Sequence, residues 1–241
     1  PPPRSTPVTP RRQRQMCIRD SVCPMDRWEG LKKSLYDGKG DYLKRICVFC
    51  GSSSGNNSKY AKSARNLGAT LAEQDVTLVY GGSNIGLMGE IANSMIDRNG
   101  NVIGIIPQVL VDKEVAFTHL QDLRVVNSMH ERKALMAELA DGFISMPGGF
   151  GTLEETIEML TWTQLGIHEK PIGLFNVEGY FDRLCGFIDH MVLEGFLVQG
   201  FRDMLLMDHQ PDGLLDKMIK FRPPQIDKWW KDKLGKPRLD G

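Results

Sequence analysis

Residues 142–160, GFISMPGGFGTLEETIEML, pass from a β-branched run through a glycine-rich loop into a helical pattern. We predict a strand that ends in the glycines and a helix over residues 153–165. A glycine loop that enters a helix is typical of a phosphate site, because free backbone N–H groups and the positive end of the helix dipole face the anion. Glu154 and Glu155 would repel that anion. They therefore either cap the helix or act on another part of a phosphorylated ligand.

Strands and helices alternate in the same way along most of the chain. Besides GFISMPGG (142–149), the predicted strands are RICVFCGS (45–52), VTLVYGG (76–82), NVIGIIP (101–107), LRVVNS (123–128) and KPIGLFN (170–176). The other predicted helices cover residues 59–74, 87–97, 129–140 and 180–193. Such alternation produces right-handed βαβ crossovers. We expect an α/β fold: a single Rossmann-like, doubly wound parallel sheet with helices on both faces and a site at the carboxyl ends of the strands.

Small residues follow three of these strands directly. They form the loops that begin at Gly51, Gly81 and Gly148. For one loop, ordinary turn chemistry explains the glycines equally well. Three such loops at one sheet edge favour a nucleotide-sized site, to which Ser53 and Gly82 would belong.

The glycine spacing argues against two common nucleotide motifs. GGSNIGLMGE (81–90) lacks the G-x-G-x-x-G spacing of a dinucleotide site, and the chain has no G-x-x-x-x-G-K-[ST] motif for a triphosphate. The pattern favours a mononucleotide.

Composition limits the partners. The 241 residues suffice for one sizeable core, and 30 basic residues balance 30 acidic ones. No overall field would attract nucleic acid or an anionic membrane. No apolar run approaches the roughly 20 residues of a membrane span, and the N-terminus lacks the apolar core of a secretory signal. We expect a cytoplasmic protein that binds a small-molecule nucleotide, with no nucleic-acid or membrane partner.

The two ends of the chain differ from its centre. Residues 1–24 are rich in proline and arginine and are expected to be disordered. They are either an organelle transit segment or an incidental extension before a start at Met25. Residues 25–42 are predicted to form a short helix and linker, residues 43–230 the Rossmann-like domain that carries the nucleotide site, and residues 231–241 a tail.

Five unevenly spaced cysteines argue against a disulfide framework. Cys47 and Cys50 form a C-x-x-C, but they fall in a predicted strand, where positions three apart face opposite sides. Neither the helix N-terminus of a redox pair nor a second ligand pair for zinc is present. We interpret them as core cysteines and expect no metal site.

Two segments match the capping box, in which a serine or threonine caps a helix and a glutamate three residues later reaches back to it. These are Ser128 with Glu131 and Thr152 with Glu155. Capping explains Glu131 well. For Glu155, a chemical role remains open.

Helical periodicity brings Glu155 to the same side as Met159 and Trp162, opposite Leu153 and Ile157. A helix that is apolar on two faces is buried on two sides. Glu155 would then lie in a partly dry cleft, where burial raises the pKa of a carboxyl and favours its use as a general base. The face of Met159 and Trp162 predicts contact with a partner, a homodimer being expected.

Arg132 extends an apolar stripe that continues through Leu135, Met136 and Leu139. Its guanidinium should point over the carboxyl edge of the sheet. There a phosphate or a polarised base could accept hydrogen bonds from the planar guanidinium. The alternative is an arginine whose stem passes the core on the way to water.

Four segments together resemble the LONELY GUY family of cytokinin riboside 5'-monophosphate phosphoribohydrolases, proteins often mislabelled lysine decarboxylases. They are PGGFGTLEE (147–155), MHERKA (129–134), YGGSNIGLMG (80–89) and FCGSSSG (49–55). The resemblance extends over residues 43–230. It implies a catalytic pair at Arg132 and Glu155. Substrate contacts are implied at Glu114, Lys133, Gly148, Gly149, Phe150, Gly151, Thr152, Leu153, Glu154 and Thr161.

The family resemblance implies hydrolysis of the N-glycosidic bond of N6-substituted AMP, with AMP itself as a second candidate and no cofactor. The products would be the free base and ribose 5-phosphate. One departure is Ser83, where the family usually has a third consecutive glycine; this puts the loop conformation and base preference in question. The alternative is a non-catalytic nucleotide-binding or cofactor-carrier module of the same fold, for which Glu155 would be unnecessary.

Overall fold

The computed structural model describes residues 43–112 and 116–224. The predictions for residues 1–42, for Glu114 and for the chain beyond residue 224 lie outside these described residues. None of the helices in the described ranges is long and apolar enough to cross a bilayer.

The described chain alternates strands and helices, as expected. The strands are β1 (Arg45–Phe49), β2 (Thr77–Tyr80), β3 (Val102–Pro107), β4 (Asp122–Val126), β5 (Gly142–Ser145), β6 (Ile172–Phe175) and β7 (Leu205–Asp208). The helices are α1 (Ser58–Glu73), α2 (Gly86–Ile96), α3 (Gln108–Val111), α4 (Met129–Leu139), α5 (Phe150–Gln164), α6 (Asp182–Leu193), α7 (Gln199–Arg202) and α8 (Pro211–Lys220). All six predicted strands are confirmed.

Three elements near the carboxyl end of this region, α7, β7 and α8, were not predicted. β7 has four residues, of which Leu205 alone is buried. This length and partial exposure leave too little hydrophobic periodicity for a sequence pattern to detect.

The seven strands form one parallel sheet in the order β4-β3-β2-β1-β5-β6-β7. The described part of the chain enters the sheet in the middle with β1, builds outward to β4, then returns to the other side of β1 with β5. The expected doubly wound sheet is therefore confirmed. Its switch point lies between β1 and β5, where the loops that follow the two strands diverge and a ligand crevice is expected.

The two faces of the sheet carry separate hydrophobic cores. Val48, Tyr80 and Cys50 belong to the core beneath α1 and α2. Cys47 and Phe143 belong to the core beneath α4, α5 and α6. The two cysteines thus face opposite sides, as predicted. Burial raises the pKa of both thiols, so both are held as inert core thiols.

Helix α5 begins at Phe150, three residues before the predicted start. Its N-cap is Gly149, which offers no side-chain hydrogen bond, and Thr152 lies inside the first turn. The predicted capping box of Thr152 and Glu155 is therefore wrong. Gly149, in an extended conformation, lets the helix start directly after the loop, and Glu155 has a different partner.

The other predicted cap is confirmed. Ser128 accepts a hydrogen bond from the N–H of Glu131 at 3.1 Å. The Glu131 carboxylate reaches back to the N–H of Asn127 at 2.8 Å, one residue before the cap. Glu131 is therefore a capping residue.

Met159 is 1% exposed and packs in the core beneath α5. The prediction that the side of α5 carrying Met159 and Trp162 meets a partner subunit is wrong for Met159, because that side covers the sheet. Trp162 is half-buried and packs against the same core. The exposed side of the helix carries Ile157 and Leu165 instead.

Candidate active site

The glycine loops meet at the switch point of the sheet. The N–H of Gly51, after β1, donates to the carbonyl of Pro147, after β5, at 3.0 Å. The N–H of Leu87 donates to the carbonyl of Gly51 at 3.0 Å. Gly86 has a φ of +59°, and a Cβ there would overlap the backbone of Ser52. The loops after β1, β2 and β5 thus form one surface, as predicted.

The first turn of α5 opens onto this surface with free donors. No acceptor among the described residues is recorded for the N–H groups of Phe150, Gly151 and Thr152. The first amide of α5 with a backbone partner is that of Leu153, which donates to Gly149 at 3.2 Å. A Cβ on Gly149 or Gly151 would meet nothing within 4 Å, so this side is open. Three free amides at a helix N-terminus form an anion site.

Arg132 and Glu155 form a buried ion pair beside this helix start. Nη1 of Arg132 donates to Oε1 of Glu155 at 2.6 Å, and each residue is 8% exposed. Nε of Arg132 donates to the carbonyl of Ile105 at 3.1 Å, which fixes the guanidinium plane. Oε2 of Glu155 makes no hydrogen bond to any residue in the described ranges. The predicted pair is therefore brought together, and one carboxylate oxygen remains for a ligand or water.

Burial dominates the electrostatics of Glu155. Loss of solvation raises the pKa of this carboxyl above its ordinary value, and the nearby Glu154 raises it further. The charge and hydrogen bond of Arg132 oppose this rise without cancelling it. The expected partly dry environment of Glu155 is confirmed, and it suits a general base.

Gly81 makes room for the guanidinium, a role that sequence reasoning missed. A Cβ at Gly81 would overlap Nη2 of Arg132. Gly82, the glycine predicted to contact the ligand, has a φ of +71° and accepts a hydrogen bond from the N–H of Phe117 at 2.8 Å. In the sequence, both glycines directly follow β2. The sequence does not show which of them lies against Arg132 and which contacts the ligand. Gly82 stays a predicted contact.

Lys133 lies next to Arg132 and pairs with two carboxylates on α5. Its ammonium bonds to Glu154 and lies 3.0 Å from Glu158. Burial lowers the pKa of Lys133, but its hydrogen bonds to both glutamates outweigh this and the pKa is raised overall. Lys133 is therefore a fixed cation. Glu158 was not predicted, because its contact with α4 depends on tertiary packing.

Two other predicted contacts, Thr161 and Ser53, are exposed. Thr161 is exposed on the outer side of α5, and its hydroxyl donates to the carbonyl of Ile157 at 2.8 Å. Ser53 is exposed in the loop after β1, where its hydroxyl accepts from Gly55 at 3.3 Å. Within one chain, therefore, Thr161 does not join the pair of Arg132 and Glu155.

Ser83 fits its position without strain. It is 4% exposed, its φ is not positive, and its hydroxyl accepts a hydrogen bond from the N–H of Ile85 at 3.3 Å. Glycine is therefore not required here for backbone conformation, and the serine stabilises the loop after β2 locally.

Comparison with known proteins identifies close sequence relatives. Residues 88–218 match the family model described as "Possible lysine decarboxylase". The chain is 47% identical over 181 residues to "Probable cytokinin riboside 5'-monophosphate phosphoribohydrolase LOGL9" from Oryza sativa subsp. japonica, a match that covers 75% of this chain and 80% of the relative. It is 46% identical over 181 residues to "Cytokinin riboside 5'-monophosphate phosphoribohydrolase LOG3" from Arabidopsis thaliana, covering 75% and 84%.

Solved structures share the fold at much lower identity. The molybdenum cofactor binding protein from Rippkaea orientalis is 18% identical with a TM-score of 0.55, covering 73% of this chain and 94% of that one. The molybdenum cofactor carrier protein from Chlamydomonas reinhardtii is 17% identical with a TM-score of 0.56, covering 74% and 98%. At these identities the similarity establishes the fold alone.

Proposed function

The chain belongs to the family of the cytokinin riboside 5'-monophosphate phosphoribohydrolases, and from this premise we propose that it hydrolyses the N-glycosidic bond of N6-substituted adenosine 5'-monophosphates. AMP is the second candidate substrate. The products are the free base and ribose 5-phosphate.

One observation carries this proposal: the buried pair of Arg132 and Glu155 lies beside a helix start with three free amides. The amides of Phe150, Gly151 and Thr152 suit the 5'-phosphate. Glu155 follows one turn later in α5, so its carboxylate suits the ribose. The arrangement offers separate partners for the two ends of a nucleoside monophosphate.

In the proposed mechanism, Glu155 orients a water molecule and takes one of its protons as the water oxygen bonds to C1'. The bond between C1' and the base breaks through an oxocarbenium-like state, which the adjacent carboxylate stabilises. Arg132 fixes the substrate and stabilises the electron pair that the departing base takes from the broken bond to C1'. The base takes up a proton from solvent as it leaves, and Glu155 then returns its proton to solvent, which regenerates the carboxylate. Because an enzyme must supply at least ~8 kcal/mol of differential stabilisation, orientation through the phosphate must contribute to the rate.

Base release, followed by chromatography, tests this function. The substrates are isopentenyladenosine 5'-monophosphate, AMP and the unphosphorylated isopentenyladenosine. We expect release from the monophosphates, with a loss of at least about 100-fold in Glu155→Gln because the general base is removed. Glu131→Gln is the matched control, since Glu131 caps α4 through Asn127, and it should keep its activity within about twofold.

Two outcomes would contradict the proposal. If the nucleotides bind but remain intact with the wild-type protein, the chain is a binding module. If Glu155→Gln and Glu131→Gln retain equal activity, hydrolysis does not depend on this carboxylate.

We also propose that the protein acts as a homodimer. The outer side of α5 exposes Ile157 and Leu165 at 43% and 59%, and Phe187 and Phe196 are exposed at 61% and 85%. Apolar exposure of this kind is typical of a protein interface. Thr161 lies between Ile157 and Leu165 on the same side, so the proposed substrate contact of Thr161 would be made in the site of a second subunit.

A further inference from the structure

Tyr180 joins the loop after β6 to the loop after β5. Its hydroxyl donates to the carbonyl of Gly148 at 2.5 Å. Gly148 immediately precedes Gly149, the N-cap of α5. The hydrogen bond therefore acts on the peptide unit that leads into the proposed phosphate site.

The three carbonyls that lead into α5 each accept a hydrogen bond. That of Pro147 accepts from Gly51 at 3.0 Å, that of Gly148 from Tyr180, and that of Gly149 from Leu153 at 3.2 Å. A carbonyl that turned into an anion site would repel the anion. Because C=O and N–H point in opposite directions across a trans peptide, the bond from Tyr180 also directs the N–H of Gly149 away from the tyrosine. This N–H therefore points to the side where the space beside Gly149 is open.

The hydroxyl of Tyr180 is held in place although the residue is 42% exposed. The N–H of Phe181 donates to the buried side-chain oxygen of Asn176 at 2.8 Å, and Asn176 donates in turn to Asp182 at 2.6 Å. The aromatic rings of Tyr60 and Phe181 pack edge-on against that of Tyr180, with centroids 5.8 and 5.1 Å away.

An exposed ion pair also lies on the same turn. Lys59, at the start of α1, lies 2.6 Å from Glu178, whose φ is +53°. The residues on both sides of Tyr180 are therefore held by contacts: Glu178 pairs with Lys59, and Phe181 bonds to Asn176.

We propose that Tyr180 is a positioning residue for the phosphate site: its hydrogen bond fixes the peptide between Gly148 and Gly149 so that the N–H groups at the start of α5 face the 5'-phosphate. This inference rests on the proposed function and adds a residue outside the motifs that define the site. Tyr180 contacts no reacting atom. Its effect falls on the affinity for the phosphate, and the bond-breaking step depends on Arg132 and Glu155.

Tyr180→Phe tests the inference, with Tyr60→Phe as its matched control. Both changes remove one phenol hydroxyl, but the hydroxyl of Tyr60 has no hydrogen bond recorded within the described part of the chain. Isothermal titration calorimetry measures the affinities for ribose 5-phosphate and for adenine, and steady-state kinetics measures kcat and KM for isopentenyladenosine 5'-monophosphate. Thermal melting monitors the fold of both variants.

For Tyr180→Phe we expect the affinity for ribose 5-phosphate to fall about three- to tenfold, as the loss of one orienting hydrogen bond predicts. KM should rise by a similar factor. Adenine affinity and kcat should stay within about twofold, because the base and the reacting bond lie away from the changed peptide. Tyr60→Phe should match the wild type throughout.

The inference is overturned if Tyr180→Phe binds ribose 5-phosphate as tightly as the wild type. It is equally overturned if adenine and ribose 5-phosphate weaken together, since this would indicate a general structural role. Failure of the proposed function has a different signature: the wild type would hydrolyse no nucleotide, while the comparison of ribose 5-phosphate affinities would still decide the role of Tyr180. A wild type that hydrolyses the nucleotide but binds no ribose 5-phosphate would also overturn the inference, because no phosphate site would then be present for Tyr180 to position.

Discussion

The carboxyl of Glu155 is subject to two opposed effects of its surroundings. Burial beneath the loops favours the neutral acid, whereas the guanidinium of Arg132 at 2.6 Å favours the carboxylate. Burial is the larger effect, so the pKa is raised. A base whose pKa lies nearer to neutrality accepts a proton from water more readily than an exposed glutamate does.

Removal of the arginine charge should shift the pH dependence in one direction. In Arg132→Gln the influence that lowers the pKa of Glu155 is lost, so the pKa rises further. Because the base must be ionised to act, the acid limb of kcat/KM should move to higher pH than in the wild type. The rate at the optimum should also fall by about 10²-fold, since a charge that stabilises the transition state is gone.

Rate profiles across the acid range measure this shift. Arg124→Gln is the control, because Arg124 pairs with Asp122 on β4 and should leave the limb where it is. An acid limb that stays in place or moves to lower pH in Arg132→Gln would show that Glu155 is not the group that titrates.

Several residue roles could be anticipated from sequence and others could not. Arg132 and Glu155 were identified by periodicity and by family motifs, because their helices carry recognisable patterns. Gly81, Glu158 and Tyr180 were missed, because each acts through a contact with another element of the fold. A linear pattern does not encode such contacts.

At the level of elements, the loop after β2 gives the guanidinium its space. In Gly81→Ala the new Cβ would overlap Nη2 of Arg132 and crowd Met88, so the arginine must leave its position. We expect kcat to fall by about 10²-fold. The melting temperature should fall as well, because a displaced Arg132 leaves the buried Glu155 without its partner. Kinetics and thermal melting measure the two effects.

A second glycine variant serves as the control. Gly200 lies in α7, where an added Cβ would meet nothing within 4 Å, so Gly200→Ala should leave kcat unchanged. Equal kcat in Gly81→Ala and the wild type would show that the position of Arg132 is not constrained by this loop.

The elements themselves were largely predictable from sequence. Six strands were recognised because their β-branched runs end in glycine, proline or polar residues. The start of α5 was misplaced because Thr152 and Glu155 match a cap signal, while the actual cap, Gly149, has no side chain to provide one. The edge strand β7 was not predicted from the sequence, because it is short and half exposed.

At the level of the whole molecule, the exposed side of α5 should decide the association state. A double variant, Ile157→Glu with Leu165→Glu, introduces charges where we propose that two subunits meet, so it should be monomeric with weakened activity. Size-exclusion chromatography with light scattering measures the mass of wild type and variant against the 27.1 kDa of one chain.

The control for this experiment is Val109→Glu. Val109 is 57% exposed on α3. Helix α3 packs against β3 and β4, whereas α5 packs against β1, β5 and β6, so the variant should remain dimeric. A wild type of one-chain mass, or a double variant that still pairs, would refute the proposed interface.

The central place of β1 also has a consequence for biosynthesis. Of the seven described strands, β1 leaves the ribosome first and can pair with β2 soon afterwards, but its other edge stays unpaired until β5 is made. During that interval, a hydrophobic strand presents unpaired backbone groups to other nascent chains. The same topology that creates the ligand crevice thus leaves the growing polypeptide open to misassembly until residue 145 has been translated and released from the exit tunnel.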